Sequence, residues 1–225
     1  MVDPAQTAAI LKRALAYPYV APERSYLYLD GEARELPAAG PDLSARTPLL
    51  SYGANAAPEA LARKLASLPG VEMPVMRAEL EGFDVVYSAH VSPYGAVPAT
   101  LKESPGARTP VFVAYPTPEQ RALLTATEPN YDLAALGGIS CRIDGGIEAT
   151  ELSAYRSKHG CLSLDGSAVA LAAVRAAGRT LPELDEPTVL ERVRAHVEPD
   201  RDLEGFVRNC VERGGIKPLP ELGPL

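Results

Sequence analysis

The length, composition and charge of the chain exclude several classes of protein. The chain has 225 residues, 23% of them charged, and a formal net charge of −7. This length is enough for one domain with a well-buried core and added segments. The acidic balance argues against nucleic acid as a partner, because phosphate binding requires clustered basic residues. No apolar run has the length of a membrane span, and the first residues lack the order of a signal peptide. We therefore expect a cytoplasmic protein that acts on a small molecule, with its oligomeric state left open.

The cysteines and histidines predict neither a disulfide nor a metal site. Cys141, Cys161 and Cys210 are an odd number at wide spacing, which favours reduced thiols. No C-x-x-C or H-E-x-x-H motif occurs, so no metal and no cofactor is expected. His159 and Cys161 form a weak candidate nucleophilic pair, since the sequence identifies no third group that would orient the histidine.

The first 46 residues are predicted to be an appendage that packs on the main fold. Residues 5–17 have an approximate helical stripe of apolar side chains, and residues 26–29 form a short apolar strand before the turn at Asp30 and Gly31. Residues 36–48 are rich in Pro, Gly and Ala without periodicity, which predicts a loop.

Residues 47–156 contain most of the predicted strands. A strand over 48–53 leads through a tight turn to a helix over 59–65, and a long strand over 75–90 is interrupted by Gly82, which indicates a bulge. Residues 94–101 are predicted to be a turn that feeds a short strand, and further strands are predicted at 109–115, 138–143 and 147–155. Thr117 and Gln120 have the spacing of a capping box at the start of a helix over 118–126. The Asp144-Gly145-Gly146 segment predicts a hairpin turn and lacks the Lys of a phosphate-binding loop.

Residues 157–225 are predicted to form a helical extension. Three helices are expected, over 167–177, 186–197 and 201–213, with Asp or Ser residues near their starts and Gly214-Gly215 after the last. Residues 217–225 follow as a proline-rich tail.

The turn between the first barrel strand and its helix is a candidate binding site. Gly53 permits unusual backbone torsions, and Pro58 suits the first turn of a helix. The unpaired amides at the start of a helix favour negative charge. A plain structural connection remains open, as does the interpretation of Asn55 as a helix cap.

The order of these motifs resembles that of the gamma-glutamylcyclotransferase-like superfamily. The matching positions are Tyr52-Gly53-Ala54-Asn55, Gly82-Phe83, Gly95 to Leu101, Pro105-Gly106-Ala107 with Val111 to Tyr115, and Glu128. The resemblance implies an α+β fold with a small mixed β-barrel and flanking helices. It also implies an enzyme that cyclises a gamma-glutamyl amine or small peptide to 5-oxoproline and releases the amine.

The resemblance assigns roles to individual residues. Glu128 would be the general acid/base, and the backbone of Tyr52, Gly53, Ala54 and Asn55 would hold the substrate. Tyr94, Gly95 and Tyr131 are expected beside the substrate, with no metal. Ala54 stands where the family usually has Ser, and Pro129 follows Glu128 where the family has a Gly soon after. These two departures keep open a non-catalytic relative that binds a small anionic or amide ligand, or a protein.

Overall fold

The computed structural model describes residues 4–222, and it contains five α-helices and eleven strands in that range. Residues 1–3 and 223–225, the outer ends of the predicted appendage and of the proline-rich tail, lie outside the described residues. The helices are α1 (Pro4–Leu15), α2 (Pro58–Lys64), α3 (Pro118–Ala126), α4 (Glu186–Val197) and α5 (Leu203–Glu212). The strands are β1 (Tyr26–Leu29), β2 (Glu32–Arg34), β3 (Leu49–Ser51), β4 (Met73–Tyr87), β5 (Ala99–Ala114), β6 (Tyr131–Ile143), β7 (Ile147–Ser157), β8 (Ser163–Leu164), β9 (Ser167–Ala168), β10 (Ala170–Leu171) and β11 (Glu183–Leu184).

Five strands close into a small mixed barrel. They pair in the order β4, β5, β3, β7 and β6, and β6 returns to pair with β4. Every pairing in this ring is antiparallel except the parallel pairing of β3 with β7. The predicted α+β fold with a small mixed barrel is therefore confirmed.

Gly82 divides the long strand β4, as predicted. It has a φ of +76°, and the register between β4 and β5 shifts between Glu81 and Phe83. Because β4 bends here, its first half pairs with β6, while its far end at Val86 pairs with β10. The bend lets one strand serve both the barrel and the C-terminal segment.

The predicted helix over 167–177 is wrong. The chain forms the short strands β9 and β10 there, followed by turns. Ala170 pairs with Val86 of β4, and the carbonyl of Val169 accepts a hydrogen bond from the amide of Tyr87 at 2.9 Å. Burial of Val169 and Leu171 against the barrel therefore overrides the helix propensity of the alanines. The C-terminal part has two helices, α4 and α5, within residues 4–222, not three.

Other predicted strands differ from the structure in where they begin and end. The short strand predicted at the end of 94–101 and the strand predicted at 109–115 are one strand, β5, because β4 pairs with both of its ends across the bulge. The strand predicted at 138–143 begins at Tyr131, since β7 continues to pair with it on the other side of an irregularity between Gly137 and Cys141. Strand β2 was not predicted. None of the helices within residues 4–222 has both the length and the apolar character needed to span a membrane.

Candidate active site

The turn after β3 has the predicted strand, turn and helix. A single 3₁₀ turn over Ala54–Ala56 separates β3 from α2, and Pro58 occupies the first turn of α2. Within residues 4–222, the backbone amides of Gly53, Ala54 and Asn55 donate no hydrogen bond to another protein group. Three adjacent amides are therefore available to an anionic oxygen.

Gly53 is required by the close approach of Tyr17. A Cβ at position 53 would lie 2.6 Å from the Tyr17 hydroxyl oxygen, which accepts a hydrogen bond from the Ala99 amide at 2.7 Å. Tyr17 is buried. The hydroxyl cannot move without losing its bond to Ala99, so the turn needs a glycine here for reasons of space.

We expect Gly53→Ala to unfold the turn or shift Tyr17, with a loss of about 1–3 kcal/mol in the free energy of unfolding. Urea denaturation measures this loss. Gly137→Ala is the matched control, because nothing lies within 4 Å of a Cβ placed there and its φ is not positive. A Gly53→Ala variant as stable as the Gly137→Ala variant would contradict the steric argument.

Glu128 lies just beyond the end of α3 and is bound by two side chains of the turn and of α2. Its Oε1 accepts hydrogen bonds from Lys64 Nζ at 2.5 Å and from Asn55 Nδ2 at 3.1 Å. Lys64 Nζ also donates to Asn55 Oδ1 at 2.8 Å. The side chains of Glu128 and Lys64 are only 14% and 17% exposed. The three side chains form a closed, partly buried ring, and both of its bonds to Glu128 use the same oxygen.

Lys64 is the functional candidate that the sequence analysis missed. It is the last residue of α2, where a basic side chain is commonly explained by the helix dipole. The periodicity of α2 nevertheless indicates a buried position for Lys64. Ala57, Ala60 and Leu61 are buried, and Lys64 lies on the same face of the helix. A lysine on the buried face of a helix needs an anionic partner, and Glu128 is that partner.

A small cavity of about 50 Å³ lies between the turn and Glu128. Its wall includes β3, the turn, Lys64, Glu128 and several tyrosines, and its lining residues are Tyr17, Leu50, Ser51, Tyr52, Gly53, Ala54, Asn55, Lys64, Tyr94, Pro98, Ala99, Glu128, Tyr131 and Tyr155. A second cavity of about 220 Å³ shares Ala54, Lys64, Tyr94 and Glu128 with the first. We call them the inner and the outer cavity. Their shared wall carries the ion pair.

The tyrosines of the inner cavity are polar but uncharged. Tyr131 donates to the Ala99 carbonyl at 2.9 Å, and the Tyr52 hydroxyl donates to the Tyr155 carbonyl. Burial raises the pKa of the hydroxyls of Tyr17, Tyr52 and Tyr131 above its ordinary value, so these phenols stay protonated. The Glu128–Lys64 pair therefore provides the charged groups that line this cavity.

The structure brings together most of the residues expected at the site. Tyr52, Gly53, Ala54, Asn55, Tyr94, Glu128 and Tyr131 all line the inner cavity. Gly95 does not line it. It lies between α1 and α5, where a Cβ would come within 2.7 Å of Val207 Cγ1. The residue preceding α2 is Ala57, so Asn55 contacts Glu128 and Lys64 instead of capping the helix.

The candidate Cys161 and His159 pair is not supported by its contacts. His159 Nε2 lies 3.4 Å from Asn130 Oδ1, and its ring packs 5.1 Å from the ring of His90. Burial raises the pKa of the Cys161 thiol, which opposes formation of a thiolate. Asp144, Gly145 and Gly146 form the turn between β6 and β7, as predicted for a hairpin.

Comparison with known proteins finds similarity in structure only. The sequence matches no family model and no curated protein. A solution structure of a protein from Arabidopsis thaliana is 15% identical, with a TM-score of 0.37; the similarity covers 50% of this chain and 62% of that one, less than two thirds of its length. A crystal structure of an uncharacterized protein from Homo sapiens is 16% identical, with a TM-score of 0.38. The similarity covers 52% of this chain and 69% of that one.

A third solved structure has similarly low identity and TM-score. It is a gamma-glutamyl cyclotransferase. It is 16% identical to this chain, with a TM-score of 0.37, over 50% of this chain and 67% of that one.

Proposed function

We propose that the chain is a gamma-glutamylcyclotransferase-like enzyme, which cyclises a gamma-glutamyl amine or small peptide to 5-oxoproline and releases the amine. The observation that supports this is that Glu128 lines the same small cavity as Gly53, Ala54 and Asn55, the three residues whose backbone amides have no hydrogen-bond acceptor within residues 4–222. The reaction needs both kinds of group. An ammonium must lose a proton to a base, and a carboxylate or a developing oxyanion must be held by fixed donors.

Glu128 is the proposed base. Its Oε1 is held by Lys64 and Asn55, which leaves Oε2 as the oxygen able to accept a proton from the α-ammonium of the substrate. Once neutral, the amine attacks the gamma-carbonyl of its own side chain. The cavity favours this step by holding the substrate in a folded, near-attack shape.

The amides of Gly53, Ala54 and Asn55 are the proposed cradle. They would hold the α-carboxylate of the substrate or the oxyanion that forms at the gamma-carbon. Backbone donors do not depend on side-chain identity, so the cradle works with Ala at position 54, where the family usually has Ser. The outer cavity, at about 220 Å³, is large enough for the leaving amine.

The second candidate function is that of a non-catalytic relative that binds a small anionic or amide ligand. The ion pair between Glu128 and Lys64 favours it, because a carboxylate held by a lysine is also a common structural element. In that case the cradle amides bind the ligand and no bond is broken.

Turnover of gamma-glutamyl compounds distinguishes the two functions. The purified chain is incubated with a panel of gamma-glutamyl amines and dipeptides, and 5-oxoproline is measured by mass spectrometry. The matched controls are the same compounds with an acetylated α-amine, which cannot attack the gamma-carbonyl. We expect 5-oxoproline from the free amines only. Ligand-induced thermal stabilisation without any 5-oxoproline across the panel would establish the binding function instead.

A further inference from the structure

Lys64 lies on the wall between the inner and the outer cavity, where the scissile amide bond of the proposed substrate would lie. It lines both the inner and the outer cavity, together with Glu128, Tyr94 and Ala54. If the gamma-glutamyl group fills the inner cavity and the amine fills the outer one, the bond between the carbonyl carbon and the leaving nitrogen crosses the wall that these residues form. The leaving nitrogen is then next to Lys64.

Lys64 also has a donor to spare. An ammonium group has three N–H bonds. Among residues 4–222, Lys64 Nζ uses two of them, to Glu128 Oε1 at 2.5 Å and to Asn55 Oδ1 at 2.8 Å. One N–H is left for a ligand. The bond to Glu128 additionally offers a direct path by which a proton on that carboxyl can reach Nζ.

Apart from Glu128 and Lys64, the titratable groups considered beside the leaving nitrogen are poor acids. Arg13 and Arg63 line the outer cavity, where their guanidinium groups lie 5.1 Å and 4.7 Å from the ring centres of Tyr94 and Tyr19. A guanidinium does not give up its proton at accessible pH. Burial raises the pKa of the Tyr94 hydroxyl, which also makes it a weak proton donor. Beside the carboxyl of Glu128, which takes up the proton of the α-ammonium, Lys64 is the group on this wall that can donate to a basic amine.

We propose that Lys64 is a second catalytic residue, the general acid that protonates the leaving amine, while Glu128 acts as the base. This inference rests on the proposed cyclotransferase function and deepens it. In place of one carboxylate that serves twice, the acid and base roles are divided between the two members of the ion pair.

The proton transfers balance. Glu128 takes one proton from the α-ammonium, and the amine forms a bond to the gamma-carbon. Lys64 gives a proton to the leaving nitrogen as the bond between that nitrogen and the gamma-carbon breaks, which restores the carbonyl. The proton on Glu128 then passes to the neutral Lys64 amine. The second proton of the former ammonium leaves to water, and the released amine takes one up from water.

Two substrates of similar shape test the division of roles. The leaving group of gamma-glutamyl-4-nitrobenzylamide is a basic amine, which must be protonated to depart. The leaving group of gamma-glutamyl-4-nitroanilide is a very weak base, which depends far less on an acid. We expect Lys64→Met to lower kcat/KM by about 100-fold for the benzylamide and by less than about tenfold for the anilide.

The variant Lys64→Arg separates acid catalysis from charge. Arginine preserves a positive partner for Glu128 but cannot supply a proton, so we expect the same selective loss for the benzylamide. Thermal melting shows whether each variant is folded. If Lys64→Met does not fold, Lys64→Arg still tests the proposal, because it preserves the ion pair with Glu128. Lys12→Met, at an exposed position of α1, is the control and should leave both rates unchanged.

Two outcomes overturn the assignment of Lys64 while leaving the cyclotransferase function standing. One is an equal loss for both substrates in Lys64→Met, which indicates positioning alone. The other is recovery of benzylamide turnover in Lys64→Arg, which indicates an electrostatic role. If the unaltered chain forms no 5-oxoproline from either substrate, the proposed function fails and this inference fails with it.

Discussion

Glu128→Gln is expected to abolish release of 5-oxoproline, with kcat reduced by about 10²–10⁴-fold. Glutamine has nearly the shape of glutamate, but its amide cannot accept a proton from the α-ammonium of the substrate. The side-chain oxygen can still accept the hydrogen bonds of Lys64 and Asn55, so the cavity should survive the change. Initial rates with a gamma-glutamyl substrate, followed by mass spectrometry of the product, provide the measurement.

A matched control and a binding measurement make the Glu128 experiment decisive. Glu119→Gln changes an exposed glutamate in the first turn of α3 and should leave the rate unaltered. Binding of 5-oxoproline, measured by calorimetry, should persist in Glu128→Gln because the cradle amides belong to the backbone. Full turnover in Glu128→Gln would show that the base is another group.

The parts of the fold that local chemistry specifies could be predicted from the sequence. The capping box of α3 forms as expected, with Gln120 N donating to Thr117 Oγ1 at 3.2 Å and Thr117 N donating to Gln120 Oε1 at 2.9 Å. The hairpin turn at 144–146 and the bulge at Gly82 follow from glycine chemistry in the same way. Each of these signals lies within a few residues of the element that it determines.

The parts that depend on distant pairing could not be predicted. The segment 167–177 is rich in alanine, and nothing near it in sequence indicates that Ala170 pairs with Val86. The candidate site shows the same division. The motifs indicate the turn at 52–55 and Glu128. The periodicity of α2 places Lys64 on a buried face, but its pairing with Glu128 depends on how α2 packs beside the end of α3. Tyr17, from the N-terminal segment, reaches the cavity through the same kind of long-range packing.

Arg179→Met is expected to lower the free energy of unfolding by about 3–5 kcal/mol, because it leaves a buried carboxylate without its partner. Arg179 Nε and Nη2 each donate to the carboxylate of Asp84 at 2.8 Å, with Asp84 fully buried and the Arg179 side chain 6% exposed. Arg179 also donates to the Val174 carbonyl at 2.6 Å. The two bonds to Asp84 join the C-terminal segment to β4 of the barrel, and the bond to Val174 lies within that segment.

The double variant Asp84→Asn with Arg179→Met isolates the charge. Asparagine can still accept from the Val85 amide, which donates to Asp84 Oδ1 at 2.8 Å, but it places no buried charge against β4. We therefore expect the double variant to be more stable than Arg179→Met alone, which is the opposite of what additive losses predict.

Arg24→Met is the exposed control for the same experiment. Arg24 pairs with Glu35 at 3.3 Å, with side chains 68% and 82% exposed, so its removal should cost less than about 1 kcal/mol. Urea denaturation of the three variants measures the differences. Equal stability of Arg179→Met and Arg24→Met would show that the Arg179–Asp84 pair does not hold the C-terminal segment to the barrel. The hydrogen bond from the Val85 amide would then be what compensates for the burial of Asp84.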